Sequence, residues 1–296
     1  MTTTSRNIDL HMHSNCSLDG DFTPEELINL CKKSDLKTVS LADHNSVEGV
    51  ERMIIAADKS SIRVIPAIEI DCVYKETNLH ILGYNIDYKD DRFNQLGRDL
   101  LSQERKGVQT RIQRLEELGI YINHALLKTL MIDGVATGEM IAEASIHEPE
   151  NINNKLLAPY KKAGHRSDNP YVNFYWDYCA QGKPAYIPIK LPSLKEIITM
   201  IHASGGIAIF AHPGHNIHEN PKLLKEIMEE GLDGLEAYSS YHSLQQIQFY
   251  ESYAMSHHKL VTCGSDFHGK IKPAIKLGEI DYPLEHYHAF LNTLLE

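Results

Sequence analysis

The sequence predicts an α/β fold, a barrel of parallel strands interrupted by a helical segment. Short apolar runs alternate with capped, amphipathic helical stretches at both ends of the chain. Side chains that bind metals recur at the ends of those runs. Between about residues 93 and 184 helical periodicity continues with no convincing strand.

Taken in order, "NIDLHM" has strand character, and "TPEELINLCKK" opens with Thr23 as N-cap, Pro24 at the first helical position and Glu26 closing a capping box. "KTVSLA" is a strand ending at Asp43-His44, and Ser46 can cap a helix through about Ala57. "RVIPAIEI" carries Glu69 and "LHILGYNI" carries His80. After the helical segment, Ser193 and Glu196 form a second capping box before "IITMIHAS", which Gly205-Gly206 stops ahead of "IAIFAHP". "DGLEAY" and "LVTCGSDFH" are further strands, separated by a helix from about Ser243 to Ser256. Repeated βα units imply parallel strands joined by right-handed crossovers, whose C-terminal ends meet at one mouth. The chain thus divides into a first barrel part (1–92), a helical insertion (93–184) and a second barrel part (185–296).

The insertion opens with "RFNQLGRDLLSQERKGVQTRIQRLEELG", a long helical pattern with interspersed charge. "HALLKTLMIDG" and "GEMIAEASI" read as shorter helices, and "KKAGHRSDNPY" as a polar link. Its place in the chain would let it cover the mouth. The Tyr side chains of "NPYVNFYWDY" could stack on a base, although aromatic clusters more often form core.

At 296 residues and 42% hydrophobic content the chain can bury a large core without staples. A net charge of -11 argues against a basic surface that would grip duplex nucleic acid. No stretch is apolar enough to span a bilayer, and "MTTTSRN" lacks the hydrophobic run of a secretory signal, which points to the cytoplasm. Cys16, Cys31, Cys72, Cys179 and Cys263 form no C-x-x-C pair and fit reduced thiols, with Cys16 a small packing residue.

The strand-end side chains carry the functional reading: Asp9, His11 and His13, then Asp43-His44, Glu69, His80, His212, and Asp266 with His268. A strand repeats every two residues, so His11 and His13 face the same way and can bind one ion together. Imidazoles mixed with carboxylates suit zinc, manganese or iron, and so many exceed the needs of one ion. One histidine at a strand end is more often structural; the joint occurrence of these clusters points to a multinuclear metal hydrolase. His202 reads as a core residue or as one that supports a ligand, whereas His124, His147, His165, His218, His257, His258, His286 and His288 match no motif and read as solvated.

Taken together, "DLHMHS", "SLADHN", "AIEI" with "HILGY", "FAHPG", "GLEAY" and "GSDFHG" resemble the PHP (polymerase and histidinol phosphatase) superfamily. The break after "HILGYNID" and the return at "GKPAYIPIKLPSLKEIITMIHASGGIAIFAHPG" resemble its stand-alone bacterial phosphoesterases, which include nucleoside 3',5'-bisphosphate phosphatases and 5'-3' exoribonucleases. The resemblance implies a distorted (β/α)7-type barrel and two to three divalent ions (manganese, iron or zinc). His11, His13, Glu69 and Asp266 would hold the first, Glu69, His80 and His212 the second, and Asp19, His44 and His268 the third. Asp9 and Asp43 would accept hydrogen bonds that orient imidazoles. The chain departs from several relatives in reading "ATGEMIAEASI" where they have Gly-Arg-Pro-His, which removes a cation suited to phosphate.

Such ions lower the pKa of a shared water and hold a phosphate ester, so no nucleophilic side chain is needed, and the sequence has no G-x-S-x-G elbow. His215 is placed to protonate the leaving oxygen or to contact phosphate. His242 matches a position that relatives keep near substrate, or else packs at a helix start. Arg166 and Lys183 are possible phosphate contacts. The expected partner is a small phosphorylated substrate, a nucleotide or short oligonucleotide, with no duplex nucleic acid and no membrane. A phosphatase of another metabolite such as histidinol phosphate, or a noncatalytic PHP module, are the alternatives.

Overall fold

Strands β2 (Ile8–Met12) and β3 (Thr38–Leu41) are buried along their whole length, and the period of two sets Ile8, Leu10 and Met12 on one face of β2 and Asp9 and His11 on the other. The computed structural model describes residues 3–58 and 60–294, so the first two residues of "MTTTSRN" lie outside the described residues. The first part of the chain runs β1 (Thr4–Ser5), β2, α1 (Pro24–Lys33), β3, α2 (Glu48–Ala57), β4 (Arg63–Tyr74) and β5 (Thr77–Tyr84). Helices α3 (Asp91–Glu117), α4 (His124–Leu130), α5 (Gly138–Glu143) and α6 (Pro170–Tyr178) follow, with no strand among them. Next come α7 (Leu194–Ala203), β6 (Ile207–Phe210), α8 (Pro213–Asn216), α9 (Pro221–Glu229) and β7 (Gly234–Ser239). The chain finishes with α10 (Leu244–Ser256), β8 (Leu260–Gly264), β9 (Tyr282–Pro283) and α11 (Leu284–Thr293).

Two compact units result, one of residues 1–96, 191–267 and 275–296, the other of residues 97–190 and 268–274. The first division falls between residues 96 and 97, inside α3.

In the first unit seven strands follow the order β2-β3-β4-β5-β6-β7-β8 and form a nearly closed barrel. At its seam the Asp266 amide donates to His11 O at 2.8 Å and the His13 amide to Phe267 O at 2.9 Å. The expectation of an all-parallel sheet needs correction at β5, which runs antiparallel to both β4 and β6. Only Lys75 and Glu76 separate β4 from β5, too few residues for a crossover, so the strands close as a hairpin with Lys75 at φ +55°. The start of β5, not its end, therefore faces the C-terminal ends of the parallel strands, and His80 sits near that start.

Helix caps largely follow the predicted chemistry. Both capping boxes form, at Thr23–Glu26 and Ser193–Glu196. At α2 the N-cap is Val47 rather than Ser46, whose hydroxyl accepts from the Glu48 amide at 3.3 Å one position early. Helix α7 buries Leu194, Ile197, Ile198 and Ile201 in the barrel's outer core. Each fully buried aliphatic side chain of this kind contributes about 1.5–3 kcal/mol.

The second unit has its own core, in which Phe174 is fully buried and Tyr171, Tyr175 and Tyr178 pack against it. The aromatic run of α6 is thus core. Two histidines stand elsewhere than expected. His202, placed in the core by its apolar helix, is exposed and pairs with Asp233 at 2.7 Å. His286, expected to be solvated, is buried and meets Glu251 at 2.7 Å on the inner face of α11.

Candidate metal centre

Period-two geometry brings the first two histidines together: the Nε2 atoms of His11 and His13 lie 3.1 Å apart. Asp266, one turn past β8 at φ +58°, brings Oδ1 within 2.9 Å of His13 Nε2 and 3.3 Å of His11 Nε2. His212 ends β6 at φ +26°, a left-handed conformation that surrounding structure must impose. Gly264 is required beside them, because a Cβ there would stand 2.1 Å from His11 Cβ and 2.4 Å from Glu236 Oε1.

Glu69 lies at the centre and is completely buried. Its Oε2 is 3.2 Å from His11 Nε2 and 3.3 Å from both His13 Nε2 and His44 Nε2. Its Oε1 is 3.0 Å from His212 Nε2 and 3.1 Å from His80 Nδ1. His11, His13, Glu69 and Asp266 offer ligand atoms all within 4.8 Å of one another, as do His44, Glu69 and His80. His13, Asp19 and His44 make a third such group, with His44 Nε2 3.6 Å from Asp19 Oδ2. His268 is fully buried at the start of the segment 268–274.

The donor set fits divalent cations. The ring nitrogens turned outward from Glu69 have their own partners, Glu236 Oε1 at 3.1 Å for His11 Nδ1 and Asn216 Oδ1 at 3.0 Å for His212 Nδ1. Their inward nitrogens are then the ones that a cation, displacing a proton, would draw on as electron-pair donors. At Glu69 Oε2 none of the imidazole approaches has hydrogen-bond geometry, although the atom is buried. Nitrogen and oxygen donors converging on shared points in a largely buried pocket are what a mixed His/carboxylate metal site requires.

Electrostatics agree. Burial pushes the His11 imidazolium down, but the carboxylates of Glu69, Glu236 and Asp266 outweigh it and hold His11 well above its ordinary pKa. At His44 burial is likewise outweighed, by Glu69, Asp19 and Asp71. Burial pushes Glu69 up, yet the imidazoles of His44, His11 and His80 hold it well below the usual carboxylate range. The pocket demands positive charge, carried by protons or by a cation.

Asp9 and Asp43, expected to orient imidazoles, hold backbone instead. Asp9 accepts from the amides of Ser265 at 2.9 Å and Gly278 at 3.1 Å, pinning the β8 turn. Asp43 accepts from Ser14 N at 2.6 Å and Ser14 Oγ at 2.7 Å, and burial pushes its pKa up to about 6. Other groups hold the imidazoles: Glu236 and Asn216 hydrogen-bond to His11 and His212, and Asp71 brings Oδ1 to 3.3 Å from His80 Nε2 and 3.5 Å from His44 Nδ1. Asp71 follows Glu69 by two residues, so the rule that pairs His11 with His13 would have found it.

The substrate candidates divide. His215 on α8 is half-buried, its ring centroid 5.2 Å from Tyr241 and 6.0 Å from His212. His242 is buried with both ring nitrogens engaged, donating from Nδ1 to Ala237 O at 2.8 Å and accepting from Gly214 N at 3.0 Å. That is a packing role at a helix start. Arg166, in the second unit, is held by both carboxylate oxygens of Asp177 at 3.0 and 3.1 Å. Lys183, in the same unit, is exposed.

A family model described as the PHP domain matches residues 9–293. The chain belongs to the PHP domain family. A 5'-3' exoribonuclease Rnm of Escherichia coli is 28% identical over 91% of this chain and 87% of its own length. A 3',5'-nucleoside bisphosphate phosphatase of Chromobacterium violaceum is 29% identical over 88% of this chain and 87% of its own. Among solved structures, a chain from Bifidobacterium adolescentis presented as a metal-dependent phosphoesterase superposes with TM-score 0.76 at 24% identity, covering 97% of this chain and 96% of that one. A Chromobacterium violaceum chain named an amidohydrolase, with bound sulfate, has TM-score 0.76 at 22% identity and the same coverage. These two show the shared fold. This PHP-domain protein is a metal-dependent hydrolase of phosphoester bonds, as its motifs indicated. Among the described residues no helix is long and apolar enough to cross a membrane.

Proposed function

We propose that the protein hydrolyses phosphate esters of nucleotides or of short RNA 5' ends at a centre of two to three divalent ions, manganese, iron or zinc. The observation that carries the reading is the buried Glu69 carboxylate, with imidazoles of His11, His13 and His44 around one oxygen and those of His80 and His212 at the other. The names of relatives at 28% and 29% identity over about nine-tenths of the chain support the substrate class.

In this reading His11, His13, Glu69 and Asp266 hold one ion, Glu69, His80 and His212 a second, and Asp19, His44 and His268 a third. When bound, such ions make water nucleophilic near neutral pH and offset the charge of a phosphate. The protein supplies the rest. Glu236 fixes His11 and also accepts from the His212 amide at 3.0 Å, so one carboxylate sets two ligands. His215, half-buried beside His212 and Tyr241, protonates the leaving oxygen. The five free cysteines suit a reducing cytoplasm.

The test is metal-free protein reloaded with manganese and offered a nucleoside 3',5'-bisphosphate, a 5'-phosphorylated RNA oligomer and histidinol phosphate. Turnover of either nucleotide substrate is expected. Turnover of histidinol phosphate alone would overturn the substrate class, and turnover of none would leave a noncatalytic module.

A further inference from the structure

The carboxylate of Asp71 stands between two imidazoles that the proposed centre assigns to different ions. Strands β4 and β5 pair with Asp71 directly opposite His80, and Asp71 Oδ1 comes to 3.3 Å from His80 Nε2. The same oxygen is 3.5 Å from His44 Nδ1. In each ring the nitrogen facing Asp71 is the one turned away from Glu69. His80 presents Nδ1 to Glu69 at 3.1 Å, and His44 presents Nε2 at 3.3 Å. The two rings meet edge to face with centroids 5.1 Å apart.

Asp71 is itself clamped. Asn45 donates from Nδ2 to Asp71 Oδ2 at 2.7 Å and accepts at Oδ1 from the Asp71 amide at 3.0 Å. Asn45 adopts φ +55°, which asparagine tolerates better than most residues, and its amide donates to Glu69 O at 2.7 Å. One oxygen of Asp71 is held by Asn45 and the other is aimed at both rings.

We infer that Asp71 is a positioning residue common to two ion positions, orienting His80 for one ion and His44 for another. A carboxylate on the outer nitrogen fixes a ring's tautomer and raises the basicity of the inner nitrogen, and losing such a partner costs roughly 10–100-fold in metal affinity. Here one carboxylate acts on two rings. The inference rests on the proposed assignment of His44 and His80 to different ions.

Its test is manganese content per chain, by mass spectrometry after equilibrium dialysis over a range of concentrations, for the wild type, D71N and D71E. Circular dichroism melting of the metal-free forms checks folding. The wild type is expected to take up three ions. D71N keeps one at its normal affinity and weakens the other two together, about 10–100-fold. D71E, which restores the charge, brings both back together. A wild type holding fewer than three ions would remove the assignment and the inference with it. Three ions in the wild type, with D71N weakening only one or none, would overturn the role of Asp71 alone.

Discussion

The hydroxyl of Tyr241 donates to Oδ2 of Asp266, while Oδ1 of the same carboxylate faces His13 Nε2 at 2.9 Å. One oxygen is thus held by the protein and the other presented to the proposed first ion. Tyr241→Phe releases the carboxylate to rotate without changing the packed ring. Manganese affinity at that position is expected to fall about 10-fold, read by titration, with the metal-free melting temperature little changed.

Gly264 leaves no space for a side chain against His11 and Glu236. Gly264→Ala therefore forces the His11 strand or the Glu236 carboxylate to move. Urea unfolding of the metal-free protein should show a loss of about 3 kcal/mol, at the upper end for an overpacked core. Metal uptake should fall with it.

His242 uses both nitrogens on backbone groups of the first unit. His242→Ala leaves the buried Gly214 amide without its acceptor, a loss of about 1–3 kcal/mol in unfolding free energy. Because its role is packing, the shape of the pH–rate profile should stay the same, and a shifted profile would return His242 to the chemistry.

The pH dependence has a defined sign. In metal-free protein His11 and His44 have folded pKa values well above the ordinary 6.5, so the stability they contribute is complete below that value and fades as pH rises through the raised ones. Glu69, held well below 4.5, contributes stability above that value and loses it as pH falls through the lowered one. Metal binding displaces the imidazole protons and so strengthens with pH. The gain in melting temperature on adding manganese should therefore grow from pH 6 to pH 8.

Much of the candidate site was legible because strand periodicity and strand ends place side chains by simple rules. His11, His13, Glu69, His212 and Asp266 are singled out that way, and barrel topology brings their side chains together. The turn at Lys75-Glu76 was not legible, since neither residue favours the positive φ that Lys75 adopts, and the antiparallel β5 went unseen with it. Glu236 reads in sequence as an ordinary strand acid, and only the fold shows that it faces an imidazole nitrogen, whereas Asp71 shares a strand face with Glu69 by the same two-residue rule. Tyr241 sits alone in a loop and gave no pattern. Asp9 and Asp43 were misread because an acid beside a histidine in sequence need not point at its ring.

The central claim is that the buried carboxylate of Glu69 is shared between ions held by separate groups of histidines. Crystals grown with manganese and measured by anomalous scattering test it most directly. One anomalous peak is expected among His11, His13, Glu69 and Asp266, and another between Glu69, His80 and His212. Density absent from both places in a crystal saturated with manganese would contradict it.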